Sequence, residues 1–441
     1  SSPMPTVTPL ASRSPRISSA SRFVTRLIVV LSDPGGDGSS AASIGSRTTS
    51  ARWAMLGVIF LTRASLGFMF QSIAALTTFL VPAFELTYAE VGLLMGLFML
   101  PGVVIALPGG LLGQRFGSLR VVVSGLVLMV AGGTVVSYSG GLHTAALGRA
   151  IGGVGGVLVN IMLARMVADW FRERELQTAM GLMLSAWPFG MALALVILGP
   201  VAEGTSWRLA EYLTVAATGL ALGLIVLGYR EAPADHATSA GTEPARFHLS
   251  MPGQVWALSI SAGVGWALLN ASVIVVASFA PSFLMTRGAS VGEAGGITGV
   301  ALWISILSVP LGGLVADRLK RPRLLMMVGC IATAITIACA ARAPWPAFWL
   351  VASGILLGLP PGIMMSLLPR AVRPEHLATA LGVFYALFYL GMAVSQTVAG
   401  ALRDLTGDAS TPLLFASLLM LLTIAAIAMF WRLEDRPAPP V

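Results

Sequence analysis

The chain has 441 residues, of which 56% are hydrophobic and 10% are charged, and its formal net charge is +8. Soluble domains carry about 25% charged residues on average, so the composition excludes an ordinary soluble protein and predicts an all-α membrane protein with many spans. The positive charge does not indicate nucleic-acid binding, because it lies in short loops between apolar segments.

Residues 1–50 differ in composition from the rest of the chain. They are rich in Ser, Arg, Pro and Gly, and their only acids are Asp33 and Asp37. The apolar patch at 23–31 is too short to cross a bilayer, which takes about 20 apolar residues. We expect a disordered N-terminal extension here. A transit peptide, a tag remnant or an over-extended start are the alternatives.

Twelve apolar segments that follow are long enough to be transmembrane helices. The hydrophilic stretch 230–253 is a predicted linker, which leaves an N-terminal half at 51–229, a C-terminal half at 254–433 and a tail at 434–441. The predicted spans are 54–80, 89–112, 119–139, 143–168, 177–202, 208–229, 255–285, 292–316, 323–342, 346–367, 377–402 and 411–431.

Loop charge predicts the orientation, because cytoplasmic loops carry an excess of Lys and Arg. The loops after spans 2, 4, 6, 8 and 10 hold most of the basic residues, whereas the opposite loops hold about one each or none. We therefore expect both chain ends in the cytoplasm and the protein in the cytoplasmic (inner or plasma) membrane. The basic residues of the richer loops include Arg172, Arg174, Arg230, Arg246, Lys320, Arg370 and Arg373.

Two loops predict an internal duplication. GLLGQRFGSLR (110–120) follows the second span, and GLVADRLKRPR (313–323) follows the eighth. Aligned from Gly110 and Gly313, both carry a glycine, then an Asp or Gln before an arginine, then further basic residues. Equivalent loops after equivalent helices are typical of transporters built from repeats.

On these loops the sequence resembles the major facilitator superfamily over about residues 51–433. The resemblance implies two six-helix halves that rock about a central site, with the loop residues acting in gating and packing. Gln114 replaces the family's usual Asp and brings no charge to a helix N-terminus, so we expect a weaker latch there. The family's G-x-L-a-D-r-x-G-r-r pattern is matched by Gly110, Arg115, Gly117 and Arg120 in the first copy, and by Gly313, Asp317, Arg318, Arg321 and Arg323 in the second.

Two further segments resemble motifs of the family. GRAIGGVGG (148–156) matches R-x-x-x-G-x-G with Arg149, Gly153 and Gly155. MVADWFRERELQTAMG (166–181) is similar to a connection in the branches that carry nitrate, nitrite, cyanate and organic anions. The resemblance implies a conformational or substrate-binding role for Arg149, and an anionic cargo.

Arg63 is the main candidate for a cargo ligand. It lies about 16 Å into the first predicted span, where a central arginine costs about 2.5–3.5 kcal/mol on insertion scales. No Asp or Glu lies deep in a predicted span, since Glu211 is only a few residues into the sixth. Arg63 is therefore expected to bind an anionic substrate or to remain hydrated in a cavity. The lack of deep carboxylates also argues against a proton relay of Asp or Glu.

Further pathway candidates are polar or aromatic residues inside predicted spans. In the family, spans 1, 4, 7 and 11 line the cavity, although an amide there could instead bond a neighbouring helix. Two tyrosines one helical turn apart share a face of span 11, and two tryptophans lie away from the membrane interfaces where this residue concentrates. These candidates are Gln71, Asn160, Asn270, Gln396, Tyr385, Tyr389, Trp187 and Trp303.

No residue pattern indicates an enzyme or a cofactor. The four histidines lack metal-ligand spacing, and no phosphate-binding loop is present. We expect a secondary active transporter, functional as a monomer in the bilayer, that moves a small organic or inorganic anion by alternating access. A multidrug or metabolite efflux antiporter is the alternative, suggested by LGPVAEG (198–204), and a non-transporting sensor of the same fold is a third possibility.

Overall fold

The computed structural model describes residues 40–106, 109–171, 175–231 and 251–435, with side chains except at 40–50, 109–111, 114 and 374. Residues 1–51 and 52–441 form two separate units, and the bundle described below belongs to the second. The first helix begins at Ser40, inside the segment predicted to be disordered, and residues 1–39 lie outside the described residues.

The regular structure of the described residues is helical throughout. The helices are α1 (Ser40–Phe84), α2 (Tyr88–Leu97), α3 (Gly102–Ile105), α4 (Gly109–Phe116), α5 (Ser118–Ser137), α6 (Leu142–Phe171), α7 (Leu176–Gly204), α8 (Trp207–Gly228), α9 (Gly253–Thr286), α10 (Val291–Leu319), α11 (Pro322–Arg342), α12 (Pro346–Leu356), α13 (Leu359–Ala371), α14 (Pro374–Thr406) and α15 (Thr411–Glu434). We call α1–α8 the N-terminal half and α9–α15 the C-terminal half.

Among the described residues, twelve segments are long and apolar enough to cross a membrane, which confirms the predicted number and the all-α fold. The second and tenth spans, Tyr88–Ile105 and Pro346–Ala371, each consist of two helices. Proline removes a backbone donor and disfavours the helical conformation of the residue before it, so Pro101 and Pro360 account for these breaks. The second span also ends earlier than predicted, because Gly109–Phe116 forms the separate helix α4.

Contacts between loops define the two ends of the bundle. At one end, which we call the Glu85 end, the Phe84 ring packs on Trp207 and Arg342 pairs with Asp408 at 3.2 Å. At the other, which we call the Gly117 end, Arg52 pairs with Glu175 at 3.2 Å and Gln254 Nε2 donates to the Leu433 carbonyl.

The two halves repeat each other in local detail. The alignment that pairs Gly110 with Gly313 also pairs Gly117 with Lys320, and both have positive φ, 84° and 50°. It further pairs two capping boxes, in which a hydroxyl side chain and a Glu satisfy each other's backbone donors at a helix start. These are Thr87–Glu90 before α2 and Ser290–Glu293 before α10. The observed caps thus support the duplication predicted from the loops.

Candidate functional site

Arg63 lies 12 residues after the start of the first span, Ala51–Phe84, and is 8% exposed. It donates no hydrogen bond to any described residue, and its Nε is buried without a partner. Tyr385 and Tyr389 of α14, in the opposite half, lie near its guanidinium. The two tyrosines predicted to share a helix face therefore both face Arg63.

Two further polar atoms near the interface of the halves lack partners. Asn160 Nδ2 donates to the Tyr389 hydroxyl across the interface at 3.1 Å, but Asn160 Oδ1 has no partner. Trp303 Nε1 of α10 is also buried without an acceptor. Buried polar groups are paired in most folded proteins, and each exception calls for an explanation. A bound ligand is one such explanation.

Aromatic rings from both halves lie around the region of Arg63, Asn160 and Trp303. The Phe189 ring of α7 stacks on Trp303 with centroids 6.2 Å apart, and it also contacts Phe60, one turn before Arg63. The Trp187 ring packs on Phe70 at 5.2 Å. Trp187 and Trp303, the two tryptophans predicted away from the membrane interfaces, thus lie beside the Arg63 region. The sequence did not single out Phe189 and Phe70.

The remaining three pathway candidates make contacts inside the protein. Gln71 Nε2 donates to the Ala277 carbonyl of the other half at 2.9 Å, and Gln396 Nε2 donates to Ser278 Oγ at 3.0 Å. Both glutamines are fully buried, and each has an unpartnered Oε1. Asn270 is half-buried and donates to the Trp266 carbonyl of its own helix. In this conformation Gln71 joins the two halves, and its role in a pathway stays a prediction.

Glycines allow the two halves to meet closely between Arg63 and the Glu85 end. A Cβ on Gly92 or Gly96 of α2 would overlap the α14 backbone at Gln396 or Ala393. The aligned Gly295 of α10 meets the Leu195 carbonyl of α7 in the same way, and a Cβ on the aligned Gly299 would lie 3.1 Å from the Val196 side chain and 3.2 Å from the Ala192 carbonyl. These two seams join the two halves between Arg63 and the Glu85 end.

The α2–α14 seam ends in a charged contact that the sequence did not predict. Asp404 of α14 accepts hydrogen bonds from the backbone N–H groups of Tyr88 and Ala89, at 3.0 and 2.7 Å. An acid at a helix N-terminus is favoured by the exposed N–H groups and the helix dipole. Arg403 lies 3.6 Å from the Tyr88 ring centroid and donates to Ser282 Oγ. One half thereby caps a helix of the other.

Arg149 and Glu211 are both buried inside the N-terminal half. Arg149, for which a conformational or substrate-binding role was expected, is 1% exposed, and it donates to the backbone carbonyls of Leu94, Met69 and Phe70 at 2.9–3.0 Å. Glu211 was predicted to lie only a few residues into its span rather than deep within it, but it is also 1% exposed. The membrane domain therefore does contain a deeply buried acid. The position of each residue along its span predicted its depth in the membrane. It did not predict that α1, α2 and α5 would cover the two side chains.

The predicted gating residues occupy different environments. Gly153 and Gly155 lie at helix crossings, against the Phe98 backbone and the Gly125 carbonyl. At the Gly117 end, Arg115, Arg120, Asp317, Arg318 and Arg321 are exposed. Arg323 makes a bidentate bond to Asp435 at 2.7 and 3.0 Å, which holds the pKa of that carboxyl below its ordinary value. Gly313 is half-buried, and the burial of Gly110 and Gln114 lies outside the described set.

Comparison with known proteins agrees with this architecture. A family model described as the Major Facilitator Superfamily matches residues 55–290 and 255–441. The chain is 24% identical over 407 residues to the lysosomal dipeptide transporter MFSD1 of Danio rerio, covering 85% of this chain and 86% of that protein. It is 23% identical over 404 residues to the hexuronate transporter of Bacillus subtilis (strain 168), covering 86% and 93%.

A solved structure shows the same fold. The chain is similar to the inward open conformation of the xylose transporter XylE from E. coli, with a TM-score of 0.71 and 14% sequence identity. The match covers 88% of this chain and 98% of that one. At this identity the likeness concerns the fold.

Proposed function

The chain belongs to the Major Facilitator Superfamily and is a membrane transporter, and we propose that its cargo is a small anion bound by Arg63. The observation that carries the proposal is a buried guanidinium with no hydrogen bond to any described residue. Charged groups in a membrane interior are usually paired or functional. An anion supplied from solution would be the missing counter-ion.

The surrounding groups suit an anion with an unsaturated or ring-shaped body. Arg63 Nε and Trp303 Nε1 are both donors without acceptors, and an anionic group such as a carboxylate supplies acceptors. The rings of Phe189, Trp303 and Trp187 would contact the apolar part of such a cargo, whereas Asn160 Oδ1 would accept from a hydroxyl. The likeness of 166–181 to anion-handling branches supports the same class.

The closed seams support transport by alternating access. The glycine contacts of α2 with α14 and of α7 with α10 join the two halves towards the Glu85 end, and we infer that the cargo reaches Arg63 in this conformation from the Gly117 end. The basic loops lie at the Gly117 end, and the positive-inside rule assigns that end to the cytoplasm. On this assignment both chain ends are cytoplasmic, the conformation faces inward, and the loop residues from Gly110 and Gly313 onward act as its gate.

Matched pairs of ligands test the anion proposal. Thermal unfolding of the purified protein would be measured at constant ionic strength with benzoate against benzamide, and with D-glucuronate against D-glucose. We expect at least one anion to raise Tm more than its neutral partner, because binding to the folded state stabilises it, and we expect Arg63→Gln to abolish the difference. Equal shifts within both pairs, or a difference that survives Arg63→Gln, would contradict the proposal.

A further inference from the structure

A cavity inside the C-terminal half has no role in the anion site. It lies between α9, α10, α11 and α12 and contains about 430 Å³ of empty space, its open side included. Its walls come from three separate apolar clusters, to which Leu302 of α10, Ile337 of α11 and Leu357 after α12 belong. Neither Arg63 nor Trp303 lines it. The cavity is therefore formed by residues other than those assigned to the cargo.

One hydroxyl group on the cavity wall lacks a partner. Thr333 of α11 is 1% exposed, and its Oγ1 makes no hydrogen bond to any described residue. The other three hydroxyl residues that line the cavity each donate to a carbonyl of their own helix at 2.6–2.9 Å, and these are Thr298, Ser305 and Ser353. Leaving a buried hydroxyl unpaired costs free energy. A polar atom of a ligand in the cavity would remove that cost by bonding Thr333.

The rest of the wall limits the chemistry of the occupant. Nine of the thirteen described residues that line the cavity have no polar side-chain atom, and none of the thirteen is charged. An ion would lose its hydration there without gaining a counter-ion. Each buried water needs about two to four polar partners, which the apolar part of the wall does not offer. A neutral molecule with an apolar body and one hydroxyl group matches both parts of the wall.

We propose that this cavity binds a small neutral molecule of the phenol or cyclic alcohol class, and that the bound molecule regulates transport. The hydroxyl group of the ligand forms a hydrogen bond with Thr333 Oγ1. The ring packs against the apolar wall, where removal of apolar surface from water favours binding. The proposal rests on the chain being a transporter and is independent of an anionic cargo.

The cavity walls also contact the N-terminal half, which links an occupant to the motion of the halves. The Ala277 carbonyl, on the α9 wall, accepts from Gln71 Nε2 of α1 at 2.9 Å. Leu302, on the α10 wall, belongs to an apolar cluster that includes Met69 and Phe70 of α1. Rocking that breaks these contacts moves the walls. A molecule that fits the cavity as observed therefore favours this conformation, because a ligand shifts an equilibrium towards the state that it binds better.

Fluorine NMR of the protein in nanodiscs tests the site with two probes that differ by one hydroxyl group, 4-fluorophenol and fluorobenzene. We expect saturable binding of both, with 4-fluorophenol bound at least about threefold more tightly, since it alone can bond Thr333. Thr333→Val keeps the shape of the side chain but removes the hydroxyl, so it should abolish the difference, whereas Thr333→Ser should keep it. Thr336→Val is the matched control on the same helix, because the Thr336 hydroxyl donates to the Ala332 carbonyl.

A variant that fills the cavity separates this site from the bilayer. Ala301→Leu adds three carbons at the α10 wall and should remove the saturable binding of both probes. Partition of the probes into lipid does not saturate and should be the same in every variant. Equal affinities of the two probes for the wild type, a preference that survives Thr333→Val, or a cavity that holds only water and binds neither probe would overturn the site.

Spin labels across the Glu85 end test the regulatory role without a cargo. The labels are placed at Gly140→Cys and Trp345→Cys, with Cys330 and Cys339 replaced by alanine. We expect 4-fluorophenol to raise the fraction of molecules that are closed at this end, and Ala301→Leu to abolish the change. An unchanged distance distribution, or an equal change in Ala301→Leu, would overturn the regulatory role. Because neither experiment uses an anion or measures uptake, failure of the anion proposal alters neither result.

Discussion

Arg63 and Arg149 are both almost fully buried, yet they differ in what their guanidinium groups contact. Arg149 donates to three backbone carbonyls from α1 and α2 and lies 4.6 Å from the Phe98 ring centroid. Arg63 donates to no described residue. Arg149 therefore stabilises the N-terminal half. Burying the Arg63 charge costs free energy, and no hydrogen bond to a described residue offsets that cost.

Substitution of the two arginines should affect stability in opposite ways. Arg149→Gln should lower Tm by several degrees, because it removes three hydrogen bonds from a charged donor to buried carbonyls, each contributing about 1.5–3 kcal/mol. Arg63→Gln should leave Tm unchanged or raise it, because it removes an unpaired buried charge. Circular dichroism melts of the purified variants without added anion measure both. A large loss of Tm in Arg63→Gln would show that Arg63 is a structural residue.

The sequence could predict which residues are unusual but not what surrounds them. Arg63 and Arg149 are recognisable because charges are rare in apolar spans. The three carbonyls around Arg149 come from helices that are distant in sequence, so no local pattern indicates them. The burial of Glu211 was missed for the same reason: it lies near the start of its span, but Ser72 and Arg149 cover it.

Trp303 offers a test of a single hydrogen-bond donor at the cargo site. Trp303→Phe keeps a ring against Phe189 but removes the unpartnered Nε1–H group. We expect affinity for a bound anion to fall at least about tenfold, since a hydrogen bond to a charged group contributes about 1.5–3 kcal/mol, with little change for its neutral analogue. Calorimetric titration with benzoate and benzamide measures both. Trp345→Phe, at an exposed tryptophan, is the control, and equal affinities in the two variants would remove Trp303 from the site.

Helix pairing between the halves depends on small residues at matching positions. Gly92 and Gly96 allow α2 to approach α14, and the aligned Gly295 and Gly299 allow α10 to approach α7. Glycines at such spacing indicate close helix approach, but the sequence does not show which partner helix is approached. The identity of the partner helix depends on tertiary packing. The sequence could therefore predict the helices but not the seams between them.

The Asp404 cap should favour the conformation that is closed at the Glu85 end. Asp404→Asn removes the charge and one of the two acceptor oxygens that cap α2, which we expect to cost up to about 1 kcal/mol and to raise the open fraction up to about fivefold. Spin labels at Gly140→Cys and Trp345→Cys, with Cys330 and Cys339 replaced by alanine, report the distance across this end. Asp408→Asn is the matched control, because Asp408 bonds Ser410 and Arg342 in its own half. An unchanged distance distribution in Asp404→Asn would show that the contact does not hold the end closed.

At the scale of the whole molecule, the internal duplication accounts for two related halves that meet at the candidate site. Apolar length predicted the twelve spans, and the loops at 110–120 and 313–323 predicted the repeat, because both depend on local sequence. The capping boxes and the glycine seams fall on the same alignment. Two related halves that meet around Arg63 provide the two-sided arrangement that alternating access requires. The cargo depends on a few side chains at that meeting point, which the repeat itself does not specify.

Uptake of an anion and its neutral analogue by Arg63→Gln tests the central claim most directly. Radiolabelled D-glucuronate and D-glucose would be supplied to proteoliposomes holding wild type, Arg63→Gln or Arg432→Gln, the last altering an exposed arginine at the end of α15. We predict wild-type transport of glucuronate in preference to glucose, a loss of at least about tenfold in Arg63→Gln from the missing charged contact, and no loss in Arg432→Gln. Glucuronate uptake that Arg63→Gln leaves intact would contradict the account.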